Sequence, residues 1–392
     1  MFDFDRVIDR RGSWSTQWDF VADRFGHDDL LPFTISDMDF ATAPCITEAL
    51  QRRIAHGVLG YSRWQHHDFL SAVCHWYQRR FHLSVDPEQI VYGPSVMYMV
   101  ASLIRLWSGP GDGVLIHTPA YDAFYKVIEG NQRRVLSLPL QRQNADWHCN
   151  MQEMEALLQR EDCKILLLCS PHNPTGKVWR SAELQQIASL CERYDVRVIS
   201  DEIHMDMVMG EARHLPWSAV ATGRWALFTS ASKSFNVPAL TGAYGFISAE
   251  QDRQAWFQTL KSADGLSSPA VLAVAAHIAA YREGENWLDA LRDYIKANLL
   301  HVASRLNQAF PQLNWQPPQA TYLAWIDLTP LGLDDDALQR ELTEQQKVAI
   351  MPGYTYGAQG KGFLRLNVGC PRSKVDQGLD RLIAALQKLS PA

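Results

Sequence analysis

The sequence of 392 residues lacks long apolar runs, paired cysteine motifs and blocks of like charge. Its longest apolar stretch, residues 270–280, is interrupted by His277 and is far shorter than the roughly 18 residues that span a bilayer. The N-terminus is acidic from the start and has no basic region followed by an apolar one, so no secretory signal is predicted. These absences predict a protein without a membrane role.

Basic residues are not in excess, since 37 Lys and Arg stand against 43 Asp and Glu and give a net charge of -6. A nucleic-acid-binding surface would need clustered basic side chains, so no nucleic-acid partner is predicted. The seven cysteines are scattered, and none belongs to a C-x-x-C pair. An odd, unpatterned set of this kind is typical of reduced thiols in a cytoplasmic protein and predicts neither disulfides nor a metal site.

Short apolar runs alternate with helical patterns through the middle of the chain. The runs cover residues 114–118, 165–170, 196–200 and 227–230, and a typical intervening helix covers 182–194. Continuous apolar runs suit strands that are buried on both faces of a parallel sheet. The fold class predicted from this alternation is α/β with a mostly parallel sheet.

The C-terminal part has a different pattern, which predicts a smaller α+β domain. A long helix is expected over residues 287–310, β-like segments at 322–328 and 363–366, and a helix near 334–345. A last helix is predicted to start at Ser373, with its hydroxyl as the N-cap. We therefore divide the chain into an N-terminal segment that packs with the small domain (1–50), a large domain (51–285) and a small domain (286–392).

Polar motifs follow the predicted strands of the large domain. In open α/β sheets the ligand binds beyond the carboxyl ends of the strands, so these motifs are expected to meet at one edge. An aromatic ring, an amide, a carboxylate, an imidazole and an amine together match the needs of pyridoxal phosphate. The side chains that carry these groups are Tyr121, Asn173, Asp201, His204 and Lys233.

Lys233 and Asp201 are the two residues on which this hypothesis depends. The cofactor aldehyde needs an amine to form a Schiff base, and a lysine whose charge is disfavoured by its surroundings supplies one. The cofactor ring stores electrons only while its nitrogen stays protonated, and a facing carboxylate achieves this. The alternatives are a solvated surface lysine and an aspartate that caps a helix.

Three further side chains are candidates for contacts with the cofactor ring and the substrate. Asn173 could donate a hydrogen bond to the ring oxygen, although Asn-Pro is also a frequent turn former. Tyr121 could stack on the ring, and the alternative is an ordinary core tyrosine. Arg365 stands in a β-like alternation, and its planar guanidinium can donate two parallel hydrogen bonds to a substrate carboxylate. The alternative for Arg365 is an edge-strand side chain that points to solvent.

The cofactor phosphate needs backbone N–H groups and hydroxyls near the start of a helix. Ser95 and Val96 follow a β-like segment at 89–92 and precede a helical pattern at 97–107. Ser230 and Ser232 flank the lysine motif and would add hydroxyl donors. The G-P-S sequence is by itself weak evidence, because turns use the same residues.

These motifs resemble the fold-type I pyridoxal-phosphate enzymes, the aspartate aminotransferase superfamily. The resemblance is carried by Asn-Pro-Thr-Gly from Asn173, by Ser-Asp-Glu-Ile-His around Asp201, by Ser-Lys-Ser-Phe-Asn around Lys233, and by Arg365. Within that superfamily the chain is similar, nearly end to end, to the MalY/PatB group of carbon–sulfur β-lyases. Segments that carry this likeness include Ser36-Asp-Met-Asp-Phe, Gly60-Tyr61-Ser62 and Met351-Pro-Gly-Tyr-Thr-Tyr-Gly.

The resemblance implies a large cofactor domain with a mostly parallel sheet of seven-stranded type, a small α+β domain, and a homodimer with shared active sites. It implies that Lys233 removes the Cα proton of a sulfur-containing amino acid such as cystathionine, releasing a thiol, pyruvate and ammonia. Tyr121 would be the second catalytic residue, and Asn173 would contact substrate as well as cofactor. By the same likeness, His204 would support the cofactor ring, and Tyr61 would reach the phosphate in the neighbouring subunit.

Two other functions stay open on the sequence alone. An amino acid aminotransferase would use the same lysine, aspartate and arginine, and the cofactor motifs do not separate the two activities. The resemblance also implies a regulatory binding role, in which the chain restrains the transcriptional activator of the maltose system through its surface. That role could accompany the lyase activity or replace it.

Overall fold

The computed structural model describes residues 2–390, in which helices and strands alternate along most of the chain. The helices are α1 (Ala22–Phe25), α2 (Pro44–Ala55), α3 (His67–Phe81), α4 (Val96–Trp107), α5 (Asp122–Gly130), α6 (Met151–Leu158), α7 (Ser181–Arg193), α8 (Glu250–Gln258), α9 (Val271–Glu283), α10 (Glu285–Ala309), α11 (Asp335–Arg340) and α12 (Arg372–Leu389). The strands are β1 (Leu31–Phe33), β2 (Ile90–Gly93), β3 (Gly113–Thr118), β4 (Arg134–Pro139), β5 (Gln141–Gln143), β6 (Asp146–His148), β7 (Cys163–Cys169), β8 (Arg197–Asp201), β9 (Trp225–Thr229), β10 (Ala243–Ile247), β11 (Leu323–Asp327), β12 (Val348–Pro352) and β13 (Phe363–Asn367).

The larger sheet has seven strands in the order β2-β10-β9-β8-β7-β3-β4. Strands β9, β8, β7, β3 and β4 run parallel to one another, and β10 runs antiparallel to both of its neighbours. The prediction of an α/β fold with a mostly parallel sheet is therefore confirmed. The four apolar runs predicted as buried strands correspond to β3, β7, β8 and β9.

Burial on both faces explains why these strands are continuously apolar. In β7 the side chains of Leu166 and Leu168 pack into one hydrophobic cluster, while Ile165 and Leu167 pack into another on the opposite face. Successive side chains of a strand point to opposite faces, so both faces must be apolar when helices cover each of them. The arrangement leaves the carboxyl ends of the parallel strands at one edge, where loops and helix N-termini meet.

The smaller sheet has four strands in the order β1-β12-β13-β11, with β1 parallel to β12 and the other pairs antiparallel. The sequence predicted only two β-like segments here, and they correspond to β11 and β13. It missed β12, and it missed β1, which has three residues and contains Pro32. Proline is disfavoured inside strands, and so short a run gives no periodic signal. The pairing of β1 with β12 brings the N-terminal segment into this sheet.

The last helix begins differently from the prediction. Helix α12 starts at Arg372, and Pro371 occupies the N-cap position without a side-chain cap. The prediction that Ser373 is the N-cap is therefore wrong, because Ser373 already lies in the first turn. One turn further on, the Asp376 carboxylate lies 2.6 Å from the Nε2 atom of His301.

The predicted domain division stays a prediction. Residue 50 falls inside α2, which is one continuous helix that packs against α9, and residue 285 coincides with the first residue of α10. Within residues 2–390, no helix combines the length and the apolar character that crossing a membrane requires.

Candidate active site

A cavity of about 220 Å³ lies at the carboxyl ends of the parallel strands, beside the start of α4. The cavity is lined by nine of the side chains singled out from the sequence. These are Ser95, Val96, Tyr121, Asn173, Asp201, His204, Ser230, Ser232 and Lys233. They come from four strand ends and one helix N-terminus, as the rule for open α/β sheets predicts.

Lys233 is held over this cavity by a backbone carbonyl. Its Nζ donates to the carbonyl oxygen of Ser36 at 2.7 Å, and the hydroxyl of Tyr322 donates to the same oxygen at 2.9 Å. Burial lowers the pKa of Lys233 to about 8, although the negative charges of Asp37 and Asp201 oppose this change. An amine with this pKa is partly neutral near pH 7, which a nucleophile or a general base requires.

Asp201 ends β8, and its side chain is almost fully buried. Its carboxylate accepts the N–H of Ile203 at 3.1 Å, and burial raises its pKa to about 7. The positive charge of Lys233 is one of the groups that oppose this rise. A buried carboxylate is costly unless it is paired, so a cationic ring nitrogen fits this position.

Glu202, the neighbour of Asp201, points away from the cavity. Its carboxylate accepts hydrogen bonds from the Ser200 hydroxyl at 2.9 Å and the Trp217 N–H at 2.7 Å. It also lies 2.7 Å from the Nε2 atom of His214. Glu202 is therefore fully used in a buried polar network behind the strand, and only Asp201 of this pair faces the cavity.

His204 lines the same cavity in a neutral state. Burial lowers its pKa to about 3, with the positive charges of Lys233 and Arg365 acting in the same direction. Its Nδ1 atom is buried and has no hydrogen-bond partner within residues 2–390. Buried ring nitrogens are normally paired, so this imidazole is not an ordinary core histidine with both nitrogens satisfied.

Arg365 lies beside Asn173, which lines the cavity, and stands on an internal strand of the smaller sheet. Its Nη1 donates to Asn173 Oδ1 at 3.2 Å, and its Nη2 donates to the carbonyl of Thr34 at 3.0 Å. Only 4% of Arg365 is exposed, and its Nε atom lacks a partner within the described chain. The alternative of an edge-strand arginine pointing to solvent is therefore wrong, and the guanidinium retains a donor for a carboxylate.

The start of α4 offers donors for a phosphate. Ser95 is the N-cap, and its hydroxyl accepts the N–H of Tyr98 at 3.1 Å, while Val96 begins the helix. The first N–H groups of a helix have no partner within it, which favours an anion there. The Ser230 hydroxyl donates to the Gly242 carbonyl at 2.7 Å and accepts the Ser232 N–H at 3.1 Å. Ser230 therefore shapes the loop, and the Ser232 hydroxyl is the better placed phosphate donor.

His277 is a residue of this site that sequence reasoning missed. Its Nδ1 lies 2.8 Å from the Ala273 carbonyl and must donate there, which leaves Nε2 as an acceptor for the Ala231 N–H at 3.2 Å. The buried imidazole thus fixes the loop that carries Lys233. In the sequence this residue only interrupts an apolar helical stretch, so the pattern gave no sign of its role.

The segment around Ser36 is fixed by Asn236, three residues after Lys233. The Asn236 amide donates to the carbonyls of Met38 at 2.8 Å and Phe40 at 2.7 Å, and its oxygen accepts the Met38 N–H at 2.9 Å. In the sequence, the Ser36-Asp-Met-Asp-Phe segment carries the family resemblance but predicts no particular contact. Its role here is to present the Ser36 carbonyl to Lys233.

Tyr61 is the one predicted site residue that does not join these groups. Its side chain is 98% exposed and lines a neighbouring cavity of about 600 Å³. The two cavities share Pro94 and Thr241, so they are contiguous. Tyr61 therefore lies near the cavity of its own chain without entering it.

The chain is similar to known proteins over nearly its whole length. Residues 28–382 match the family described as aminotransferase class I and II. The chain is 64% identical to Protein MalY of Escherichia coli over 387 residues, which cover 99% of each chain. It is 34% identical to the cystathionine beta-lyase PatB of Bacillus subtilis, over 98% of this chain and 99% of the relative. The crystal structure of a PLP-bound C-S lyase from Staphylococcus hominis superposes with a TM-score of 0.93 at 27% identity, covering 98% of both chains.

Proposed function

The chain belongs to the aminotransferase class I and II family, and from this membership we propose that it is a pyridoxal-phosphate-dependent carbon–sulfur β-lyase. Its substrates are L-cystathionine and related cysteine thioethers, and its products are a thiol, pyruvate and ammonia. The observation that carries the proposal is one cavity in which Lys233, Asp201 and Asn173 meet, with Arg365 hydrogen-bonded to Asn173. The relatives named for carbon–sulfur cleavage match nearly the whole chain.

The residues of the cavity fit pyridoxal phosphate group by group. Lys233 would hold the aldehyde, Asp201 the ring nitrogen and Asn173 the ring oxygen, while Tyr121 and His204 would flank the ring. Ser95, Val96, Ser230 and Ser232 would surround the phosphate. The unpartnered His204 Nδ1 and the buried carboxylate of Asp201 are the features of the cavity that most need such an occupant. When bound, the cofactor supplies an electron sink for the charge that develops at the substrate Cα.

Arg365 and Lys233 have different roles toward the substrate. Arg365 binds the substrate carboxylate and orients the Cα–H bond, because its planar fork fits a carboxylate in one geometry. The neutral amine of Lys233 takes the Cα proton as a general base, and its pKa of about 8 suits this role near neutral pH. The Ser36 carbonyl accepts a hydrogen bond from the amine and keeps it at the cavity.

A lyase and an aminotransferase differ in their need for a second substrate. We expect the purified protein with pyridoxal phosphate and L-cystathionine to release free thiol and pyruvate in equal amounts, with no keto acid added. Thiol reagents and lactate dehydrogenase measure the two products. If neither thiol nor pyruvate forms, and cystathionine is consumed only after a keto acid is supplied, the chain is an aminotransferase and the lyase proposal is wrong.

We propose that the chain acts as a homodimer in which each subunit completes the other's site. Val58, Leu59 and Tyr61 have most of their surface exposed in the single chain, and Tyr61 lines the cavity of about 600 Å³. Exposed apolar side chains grouped in this way are typical of a surface that another chain covers. Tyr61 would extend across that surface to the phosphate of the partner's cofactor.

Shared sites make a complementation experiment possible. We expect Tyr61→Ala and Lys233→Ala proteins, each nearly inactive alone, to regain about a quarter of wild-type activity after unfolding and refolding together in equal amounts. Random pairing makes half of the dimers mixed, and each mixed dimer contains one site with both intact residues. Refolding each variant alone is the control. A mixture no more active than its components would contradict the shared site.

The restraint of a maltose-system transcriptional activator is a separate proposal. It is motivated by the resemblance to the MalY/PatB group that the sequence motifs carry. Such a role would use the protein surface, whereas the lyase reaction uses a buried cavity, so the two functions can coexist in one chain.

A further inference from the structure

Arg24 is a positively charged residue near the active site, and within residues 2–390 no carboxylate pairs with it. It lies in α1, is exposed to solvent, and its Nη1 donates to the thioether sulfur of Met351 at 3.3 Å. Thioether sulfur is only a weak acceptor. No ion pair formed within residues 2–390 includes Arg24, whereas Arg10, for comparison, pairs with Asp37 and Asp39. The Arg24 guanidinium therefore keeps its capacity to bind an anion.

The register of the smaller sheet connects Arg24 to Arg365. Met351 in β12 and Trp325 in β11 both stand directly opposite Arg365 in β13. Side chains directly opposite one another project from the same face, with strands about 4.8 Å apart. Arg24, Met351, Arg365 and Trp325 therefore form a row, and the two guanidinium groups are separated by one methionine side chain.

Two tyrosines connect this row to the cavity that holds Lys233. Tyr121 lines that cavity, and the ring of Tyr356 lies 4.7 Å from the Arg365 guanidinium. Burial raises the pKa of both tyrosines, and the positive charges of Arg365 and Arg24 oppose the rise. The negative charge of Asp122 adds to the rise in the pKa of both tyrosines, but this carboxylate is paired with Lys126 at 2.6 Å. Arg24 and Arg365 are thus both without a carboxylate partner among the described residues on this side.

We propose that Arg24 binds a carboxylate on the leaving group of the substrate and so selects thioethers that carry a carboxylate at the distal end. Cystathionine carries two carboxylates at opposite ends of a thioether chain. With the first on Arg365, the chain would run past Met351 and bring the second to Arg24. The inference rests on the proposed lyase function, and it makes Arg24 a specificity residue with no part in bond cleavage.

The test compares two substrates that differ in the distal carboxylate. We expect Arg24→Gln to lower kcat/KM for L-cystathionine about tenfold or more, mainly through KM, because one charge-assisted hydrogen bond is lost. For S-ethyl-L-cysteine, which has no distal charge, kcat/KM should change by less than about twofold. Arg24→Lys should retain part of the preference, since it keeps the charge without the planar fork.

Charge reversal gives a gain of function that a structural defect could not produce. Arg24→Glu should lower kcat/KM for cystathionine further and raise it for S-aminoethyl-L-cysteine, whose distal end is an ammonium group. Arg340→Gln is the matched control. Arg340, like Arg24, is an exposed arginine in the last turn of a short helix, but it belongs to α11 and not to α1. Arg340→Gln should leave kcat/KM unchanged for both substrates.

The outcomes separate this inference from the lyase proposal. If the wild-type protein cleaves both thioethers and Arg24→Gln lowers both equally, or lowers neither, the role of Arg24 is overturned while the lyase stands. If the wild type releases thiol from neither substrate without a keto acid, both proposals fail. Circular dichroism of each variant confirms that the comparison is made on folded protein.

Discussion

Replacing Lys233 with alanine is expected to lower kcat for thiol release by at least about a thousandfold, because it removes both the group that holds the cofactor and the general base. The visible absorption of the lysine-bound cofactor should disappear at the same time. The substitution removes one hydrogen bond, to the Ser36 carbonyl, which Tyr322 still satisfies. We therefore expect a folded protein with nearly unchanged far-ultraviolet circular dichroism.

A matched control separates this effect from the general loss of a lysine. Lys164 lies near the start of β7, at the other end of the same sheet, and its side chain is exposed. Lys164→Ala should keep the spectrum and the activity. A Lys233→Ala protein that kept its visible absorption with added pyridoxal phosphate would show that another lysine holds the cofactor. The site described above would then be wrong.

The groups that follow the strands of the larger sheet could be predicted from sequence because local patterns determine them. The apolar run of β8 fixes where Asp201 stands, and the run of β9 fixes where Ser230 begins the Lys233 loop. Parallel strands end at one edge, so the convergence of these residues followed from the topology alone. The prediction needed no knowledge of which loop contacts which.

The supporting contacts could not be predicted, because residues far apart in the chain make them. Ser36 and Lys233 are separated by 197 positions, and the pairing of β1 with β12 joins residues near 32 and 349. His277 appeared only as a break in an apolar helix, and its use depends on how α9 packs against the Lys233 loop. Arg24 belongs to a four-residue helix with no periodic signal. Such contacts emerge only from tertiary packing.

The second large effect is expected from Asp201→Asn, which should lower kcat by about a hundredfold to a thousandfold while leaving the cofactor bound. An amide is nearly the same size as the carboxylate and keeps an oxygen that can accept the Ile203 N–H. It carries no charge, so it cannot stabilise a protonated ring nitrogen, and the ring becomes a poorer electron sink. Because Lys233 is untouched, the visible absorption should persist, which distinguishes this variant from Lys233→Ala.

The pH dependence of Asp201 gives an independent measurement of the same contact. Burial raises its pKa to about 7 in the protein alone, so without a cationic partner the carboxylate would be about half protonated at neutral pH. A positive ring nitrogen favours the ionised form, so cofactor binding should lower this pKa and release up to about half a proton per site at neutral pH. Calorimetric titration of pyridoxal phosphate in buffers of different ionisation enthalpy measures the release, and the part that comes from Asp201 should be absent in Asp201→Asn.

Asp252 provides the control for this variant, because it is also a buried aspartate but is paired with Arg224 at the opposite end of the sheet. Asp252→Asn should lower the free energy of unfolding, since it breaks a partly buried ion pair, without changing kcat or the proton release. If Asp201→Asn behaved in this way too, losing stability with an unchanged kcat, Asp201 would be a structural residue. The ring nitrogen would then have to be held by another group of the cavity, and the assignment of the cofactor's orientation would fail with it.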